Sequence, residues 1–300
     1  MYAILGATGN VGSVIANTLL AKGEKVRVVG RDRGRLEKFV RKGAEAVTAN
    51  VTDAAALTAA LAGARAAFLM IPPNMTSQDY RADQELASDA IASAVQRSGL
   101  QYAVFLSSIG AHAPAETGPI AGLHTAEEKL NAVSALNVLH LRPAYFMENN
   151  LAGMGMIHGM GILGNALLPE LKMAMIATRD IGDYAAGRMY SLDFSGKQTR
   201  ELLGERDLSM NEVTAIISRG IGKPDLRYVQ FPYEQVQQVL MQMGIPVKMA
   251  ALFIEMYKAL NEGVVVAQER RSAENSTPTS MEKFVQEVFA PAYQGKAATA

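Results

Sequence analysis

The residue types and spacing most suited to chemistry stand at the start of the chain. Gly6, Gly9 and Gly12 recur at every third position, directly after the apolar run Tyr2-Ala3-Ile4-Leu5. A strand that turns into a helix around a diphosphate asks three things of such glycines. The first allows a tight turn, the second lets backbone approach phosphate, and the third lets the helix pack close to the strand. The helix start then offers unpaired N–H groups and the positive end of its dipole to the anion. Gly6, Thr8, Gly9, Asn10, Val11 and Gly12 therefore form the expected phosphate turn of a cofactor site, with the helix opening at about Asn10-Val11. Ordinary turn glycines are the alternative. The strand before and the repeating βα pattern after favour the phosphate role.

The kind of dinucleotide is written at the end of the second predicted strand, Val28-Val29-Gly30-Arg31-Asp32-Arg33. A carboxylate here serves the ribose hydroxyls of NAD, whereas an arginine suits the 2′-phosphate of NADP. Arg31 leaves the strand first, with Arg33 and Arg35 close behind, and this points to NADPH. Asp32 is the competing candidate and keeps NADH possible. A solvated helix start capped by Asp32 is the plain structural alternative.

These groups must be held by regular elements. Strand patterns cover residues 2–5, 25–29, 46–48, 66–71, 103–107 and 137–141, and helical patterns cover 11–21, 33–41, 54–61, 79–98 and 125–135. Alternation of this kind predicts an α/β fold, a Rossmann-type doubly wound parallel sheet with helices on both faces. After about Arg142 the pattern changes. The expected organisation is a nucleotide-binding domain over 1–150 and a smaller, mostly helical substrate subdomain over 151–300, partly interleaved with the first. The second segment is expected to hold a long helix from 246 to 268, a polar linker at 272–280 and a last helix over about 280–289.

Composition narrows the function. A chain of 300 residues, 49% of them hydrophobic, can bury a large core. The 29 basic and 29 acidic residues cancel, which counts against a nucleic-acid partner. With no cysteine, disulfides, thiolate catalysis and Cys-ligated zinc are excluded. The four histidines, His112, His124, His140 and His158, include no pair at metal-ligand spacing, so no metal is expected. No secretory leader pattern opens the chain. The most apolar stretch, 151–176, is broken by His158, Asn165, Pro169, Glu170 and Lys172, so no membrane span is expected. The expectation is a soluble cytoplasmic protein, monomer or homodimer.

Several motifs together resemble the NmrA-like atypical short-chain dehydrogenases, close to the bacterial NADPH-dependent quinone oxidoreductase type. They are the Gly6–Gly12 turn, Gly30-Arg31-Asp32, Asn50-Val51-Thr52-Asp53, Leu106-Ser107-Ser108, His124-Thr125-Ala126-Glu127-Glu128-Lys129, Leu141-Arg142-Pro143-Ala144-Tyr145-Phe146-Met147-Glu148-Asn149-Asn150 and Thr178-Arg179-Asp180-Ile181-Gly182. The resemblance runs from Met1 to about Phe289. It implies an adenine-side contact at Asn50 and Val51, and a loop at Ile71-Pro72 along the ribose and nicotinamide. It also implies cofactor-side positions at Ser107 and Pro143.

Carbonyl-reducing short-chain dehydrogenases commonly pair a tyrosine acid with a lysine one helical turn away. Here His124 and Glu128 occupy those places, and Lys129 is rotated by about 100°. Ordinary alcohol dehydrogenase chemistry is thereby put in doubt. One reading is a hydride transfer to a quinone or similar flat, electron-poor aromatic acceptor, with His124 as the catalytic candidate because an imidazole can donate a hydrogen bond or a proton. The other is a non-catalytic nucleotide sensor of the regulatory kind that the NmrA-like family includes. A structural role at a helix start is the alternative for His124. A sugar-nucleotide epimerase would need the missing tyrosine–lysine pair.

Tyr145, Phe146 and Asn149 follow the sixth strand, where its carboxyl end opens, and are the substrate-binding candidates. Met147, Met154, Met156, Met160, Met173 and Met175 lie among glycines and suit flat ligands of variable shape. A second set, Met241, Met243, Met249 and Met256 with Phe253 and Tyr257, reads as core or subunit contact. Arg142 is expected to pair with a carboxylate from the C-terminal region.

Overall fold

The structure, a computed structural model, describes residues Met1–Gly295. Residues 296–300 of the expected second segment lie outside them. The first half alternates as expected: β1 Tyr2–Leu5, α1 Asn10–Ala21, β2 Val26–Gly30, α2 Arg33–Val40, β3 Glu45–Thr48, α3 Ala54–Leu61, β4 Ala66–Leu69, α4 Tyr80–Ser98, β5 Tyr102–Leu106, α5 Ala121–Asn131 and β6 Asn137–Pro143. The second half adds β7 Tyr145–Phe146, α6 Met154–Met160, β8 Ile162–Asn165, β9 Met173–Ile176, α7 Thr178–Ser191 and β10 Lys197–Leu202. It ends with β11 Asp207–Leu208, α8 Met210–Ile221, β12 Arg227–Gln230, α9 Tyr233–Gln242, α10 Val247–Asn261 and α11 Met281–Phe284.

Seven parallel strands form the main sheet in the order β10-β6-β5-β4-β1-β2-β3. Both faces are buried, so successive β1 residues serve opposite cores. Tyr2 and Ile4 pack with Ile15, Leu19 and Phe39 on one face, while Ala3 and Leu5 pack with Leu61, Ile91 and Val95 on the other. Each fully buried leucine or isoleucine contributes roughly 1.5–3 kcal/mol by leaving water. The chain leaves β1 toward β2 on one side and returns as β4 on the other. The carboxyl ends of β1 and β4 therefore flank the switch point, where such sheets open a crevice.

The segment after residue 150 is not a separate lobe. β10 pairs with β6 from Lys197↔Val138 to Leu202↔Pro143, and α7 packs on the first-half core through Ile181 and Ala185. What remains outside the main sheet is mostly helical, with two small sheets, β11-β9-β7 and β12-β8.

Three expected boundaries move, each for a local reason. Gly118-Pro119-Ile120 forms a tight helical turn that leads straight into α5, so α5 starts at Ala121 and His124 lies inside it. α10 ends at Asn261 because Gly263 turns left-handed at φ 74°. The expected polar linker is instead a docked strap. Asn275 and Thr279 are buried, with the Asn275 carbonyl accepting from the Leu203 N–H at 2.8 Å and the Thr279 hydroxyl donating to Asp180 at 2.6 Å.

Contact between α1 and α7 depends on Gly182, where an added Cβ would lie 2.6 Å from the Val14 Cβ and 3.0 Å from the Val11 carbonyl oxygen. Gly187, on the same helix, has nothing within 4 Å of that position. Gly182→Ala is expected to cost about 1–3 kcal/mol by overpacking. Gly187→Ala should be neutral or stabilising by up to about 1 kcal/mol, because alanine restricts the unfolded chain. Urea unfolding of both variants checks the pair, and equal stabilities would contradict the close approach.

Candidate functional site

The glycine turn is built as its spacing requires. Gly6 is left-handed at φ 64°, and its carbonyl accepts the Gly9 N–H at 2.9 Å. A Cβ on residue 12 would fall 2.4 Å from that same carbonyl oxygen, so Gly12 is demanded by the approach of α1 to the turn. At Gly9 the nearest atom would be 3.4 Å away, so the chain itself does not require a glycine there. Its bare backbone faces outward at the start of α1, where no side chain caps the helix. A diphosphate fits this arrangement because the unclaimed N–H groups and the dipole both favour an anion.

Beside the turn lies a small cleft of about 100 Å³, lined among others by Gly6, Thr8, Arg31, Val51, Met70 and Pro72. Among the described residues the exposed Arg31 side chain makes no hydrogen bond and no ion pair, whereas its neighbours are engaged. Asp32 caps α2, accepting from the Gly34 and Arg35 N–H groups at 2.8 and 3.3 Å. Arg33 donates to the Ala46 carbonyl at 3.0 Å. Asn50 turns its Oδ1 back to the Thr52 N–H at 3.3 Å, and Ala49, which the sequence did not single out, lines the cleft with Val51.

A second, larger cleft of about 560 Å³ opens at the carboxyl ends of β5 and β6. The loop after β4 separates the two, since Met70 and Pro72 line the smaller cleft and Pro73 the larger. Ile71 lies half-buried between them. Ser108, Ile109, Tyr145, Phe146 and Asn149 form the floor of the larger cleft. The buried Pro143 joins the two strand ends, its carbonyl accepting the Ile109 N–H at 3.1 Å. α10 supplies the opposite wall through Met249, Phe253 and Met256. Part of the second methionine set is therefore cleft wall and not only core, while Met243 of that set is exposed. Of the first set only Met173 lines the cleft, and Met147 and Met175 are core. Lys172, Asp207, Glu269 and Arg271 also line the cleft, positions with no signal in the sequence.

A charge pair of the buried Glu127 and the half-buried Arg142 holds the floor. Glu127 of α5 receives Arg142 of β6 through both carboxylate oxygens, one at 2.9 Å, and also accepts the Ser107 hydroxyl at 2.5 Å. The expected C-terminal partner of Arg142 is thus replaced by Glu127. Burial alone would lower the Arg142 pKa, but the bonds and charge of Glu127, with Glu201 and Glu269 behind, hold it above its ordinary value. Ser107 has its hydroxyl turned to this pair, and Ser108 is the serine that faces the cleft.

His124 stands outside the cleft lining. Its Nδ1 lies 2.9 Å from the Ala111 carbonyl oxygen, which can only accept, so Nδ1 carries a proton there. Nε2 faces Glu128 at 3.9 Å. The Tyr145 phenol is pushed far above its ordinary pKa, first by burial and then by Tyr257 and Tyr228, and the neighbouring Asn149 works against the rise. Among the described residues no group of three or more His, Cys, Asp or Glu side chains could hold a metal, and no helix is long and apolar enough to cross a membrane.

A doubly wound sheet with a bare glycine turn and an adjoining apolar cleft defines a Rossmann-type α/β protein. The chain belongs to the NmrA-like family, whose sequence model matches residues 2–288. It is 27% identical over 261 residues to the NAD(P)H azoreductase of Xenophilus azovorans, covering 86% of each chain. Its fold matches an NADPH-dependent quinone oxidoreductase of Escherichia coli solved with NADPH, at TM-score 0.81 and 20% identity over 96% of this chain and 100% of that one. It also matches the triphenylmethane reductase of Citrobacter sp. solved with NADP(H), at TM-score 0.79 and 17% identity over 95% and 99% of the two chains.

Because Arg142 is only partly exposed and stays charged, removing its partner leaves a poorly compensated charge. Glu127→Gln is expected to lower stability by about 1.5–3 kcal/mol, the worth of a hydrogen bond between charged groups. Urea unfolding checks it, and a loss below about 1 kcal/mol would show that the pair does not hold the floor together.

Proposed function

We propose that this chain is an NADPH-dependent oxidoreductase that reduces a quinone or a similar flat, electron-poor aromatic acceptor. The observation that carries the reading is the adjacency of the two clefts across the loop Met70–Pro73. The turn Gly6–Gly12 holds the diphosphate, Val51 and Asn50 flank the adenine, and Arg31 pairs with the 2′-phosphate. Ile71, Pro72, Ser107 and Pro143 border the path from ribose to nicotinamide. When bound, the nicotinamide supplies a hydride. Tyr145, Phe146 and Asn149 present the acceptor, and the apolar wall of Met249, Phe253 and Met256 excludes water. The azoreductase and quinone oxidoreductase likenesses support this class of chemistry.

NADPH and NADH oxidation at 340 nm against a panel of quinones and azo compounds, with nucleotide affinities measured alongside, tests the proposal. Turnover with NADPH preferred is the expected result. Tight nucleotide binding with no turnover on any acceptor would replace it with a nucleotide sensor. Arg31→Ala should weaken NADPH binding about 10- to 100-fold, the worth of one charge-assisted bond, and leave NADH nearly unchanged. Equal losses for both nucleotides would remove Arg31 from the 2′-phosphate site.

His124 enters this scheme as a positioning residue that holds the Ala111 carbonyl and with it the loop after β5. His124→Ala should raise the acceptor KM by a few-fold with kcat largely kept. A kcat loss of about 100-fold with a lost limb of the pH–rate profile would instead make it the proton donor.

A further inference from the structure

We propose that the hydroxyls of Tyr145 and Ser108 form an oxyanion-stabilising donor pair that replaces the absent tyrosine–lysine acid. The inference rests on the reductase reading of the same cleft. Both residues line that cleft at the carboxyl ends of neighbouring strands, β5 and β6, which pair as Leu106↔Leu141. The Ile109 N–H to Pro143 carbonyl bond ties the two loops together just beyond.

Each hydroxyl is free to donate. Ser107 gives its proton to Glu127, but the Ser108 hydroxyl has no partner among the described residues and opens to the cleft. The Tyr145 phenol lines the same cleft, and among the described residues its hydroxyl makes no hydrogen bond of ordinary distance and angle, so the phenolic proton remains available. Burial beside Tyr228 and Tyr257 keeps the phenol neutral, which suits a hydrogen-bond donor and not an acid that gives up its proton.

The chemistry balances without a protein acid. The hydride forms an O–H bond at one quinone oxygen, the ring becomes aromatic, and the electron pair of the opposite carbonyl comes to rest on its oxygen as an oxyanion. Tyr145 and Ser108 donate to that oxygen, and a proton from solvent completes the hydroquinone. NADPH is oxidised to NADP⁺, so NADPH, quinone and one proton give NADP⁺ and hydroquinone. A donor aimed at developing charge in a water-poor site typically contributes far more than the same bond in water.

Two readouts test the pair. Tyr145→Phe is expected to lower kcat on quinones about 100-fold, and Ser108→Ala less, with NADPH affinity and melting temperature unchanged. In nucleotide-free protein, 4-nitro-1-naphthol, whose absorbance reports its ionisation, should bind to the native chain with its pKa lowered by about one unit relative to the Tyr145→Phe variant. Unchanged kcat together with an unchanged naphthol pKa overturns the donor pair while leaving the reductase reading intact. A Tyr145-dependent naphthol shift in a protein that reduces no acceptor would sustain the donor pair and overturn the reductase reading. A fall in kcat with no naphthol shift would assign Tyr145 to packing and overturn the proposal.

Discussion

The approach of α1 to the Gly6 carbonyl is the constraint on which the rest of the molecule depends. Only a residue without a Cβ fits at position 12, since the added carbon would sit 2.4 Å from that oxygen. The contact fixes the axis of α1 on β1 and aims the helix start out of the turn. The flank of the same helix then receives α7 at Gly182, another position where a Cβ would collide, with Val14. Two small residues at two points of one helix therefore set the nucleotide turn and bring the second half of the chain back to the sheet. β10 follows α7 and closes the sheet beside β6. The cleft exists because this return places the strap and α10 opposite the strand ends.

A row of charges fixes the cleft's geometry on the other side. Ser107, Glu127 and Arg142 join β5, α5 and β6. On β10 the buried Glu201, in register with Arg142, accepts the Gln268 and Glu269 N–H groups at 2.7 and 2.8 Å and so ties down the strap. Buried pairs of this kind often contribute little net stability, because desolvation offsets attraction. Their worth here is directional. Each charge must meet its partner in one arrangement, so the strand-end loops and the strap meet in one arrangement too.

What was legible in the sequence was what local chemistry encodes. Glycine spacing and apolar runs speak through contacts within a few residues, and the Rossmann-type sheet followed from them. The strap was not legible, because residues up to 268 read as the end of a helix and 272–280 as a polar linker, while the partners of its backbone are distant groups such as those of Leu203 and Gly204. The partner of Arg142 was missed for the same reason, since nothing local separates Glu127 from the adjacent Glu128, and only the rotation of α5 turns one inward. The start of α5 was also placed four residues late, because a proline-containing tight turn feeds α5 without a polar cap. The methionines at 241, 243, 249 and 256 looked alike by composition, and only the packing of α10 over the strand ends separates Met249 and Met256, in the cleft wall, from the exposed Met241 and Met243.

The absence of the tyrosine–lysine pair changes what the cleft must supply. An alcohol-forming reduction leaves a strongly basic oxygen, which needs a proton in the transition state. An electron-poor ring spreads the incoming charge, so its oxygen is weakly basic and a fixed hydrogen bond suffices. Such a bond is worth most where water is scarce. The walls provide that scarcity through Met173, Met249, Phe253, Met256 and Val265. Among so many apolar side chains, the placement of one or two hydroxyls decides the chemistry, and the walls decide how flat and how large the acceptor is.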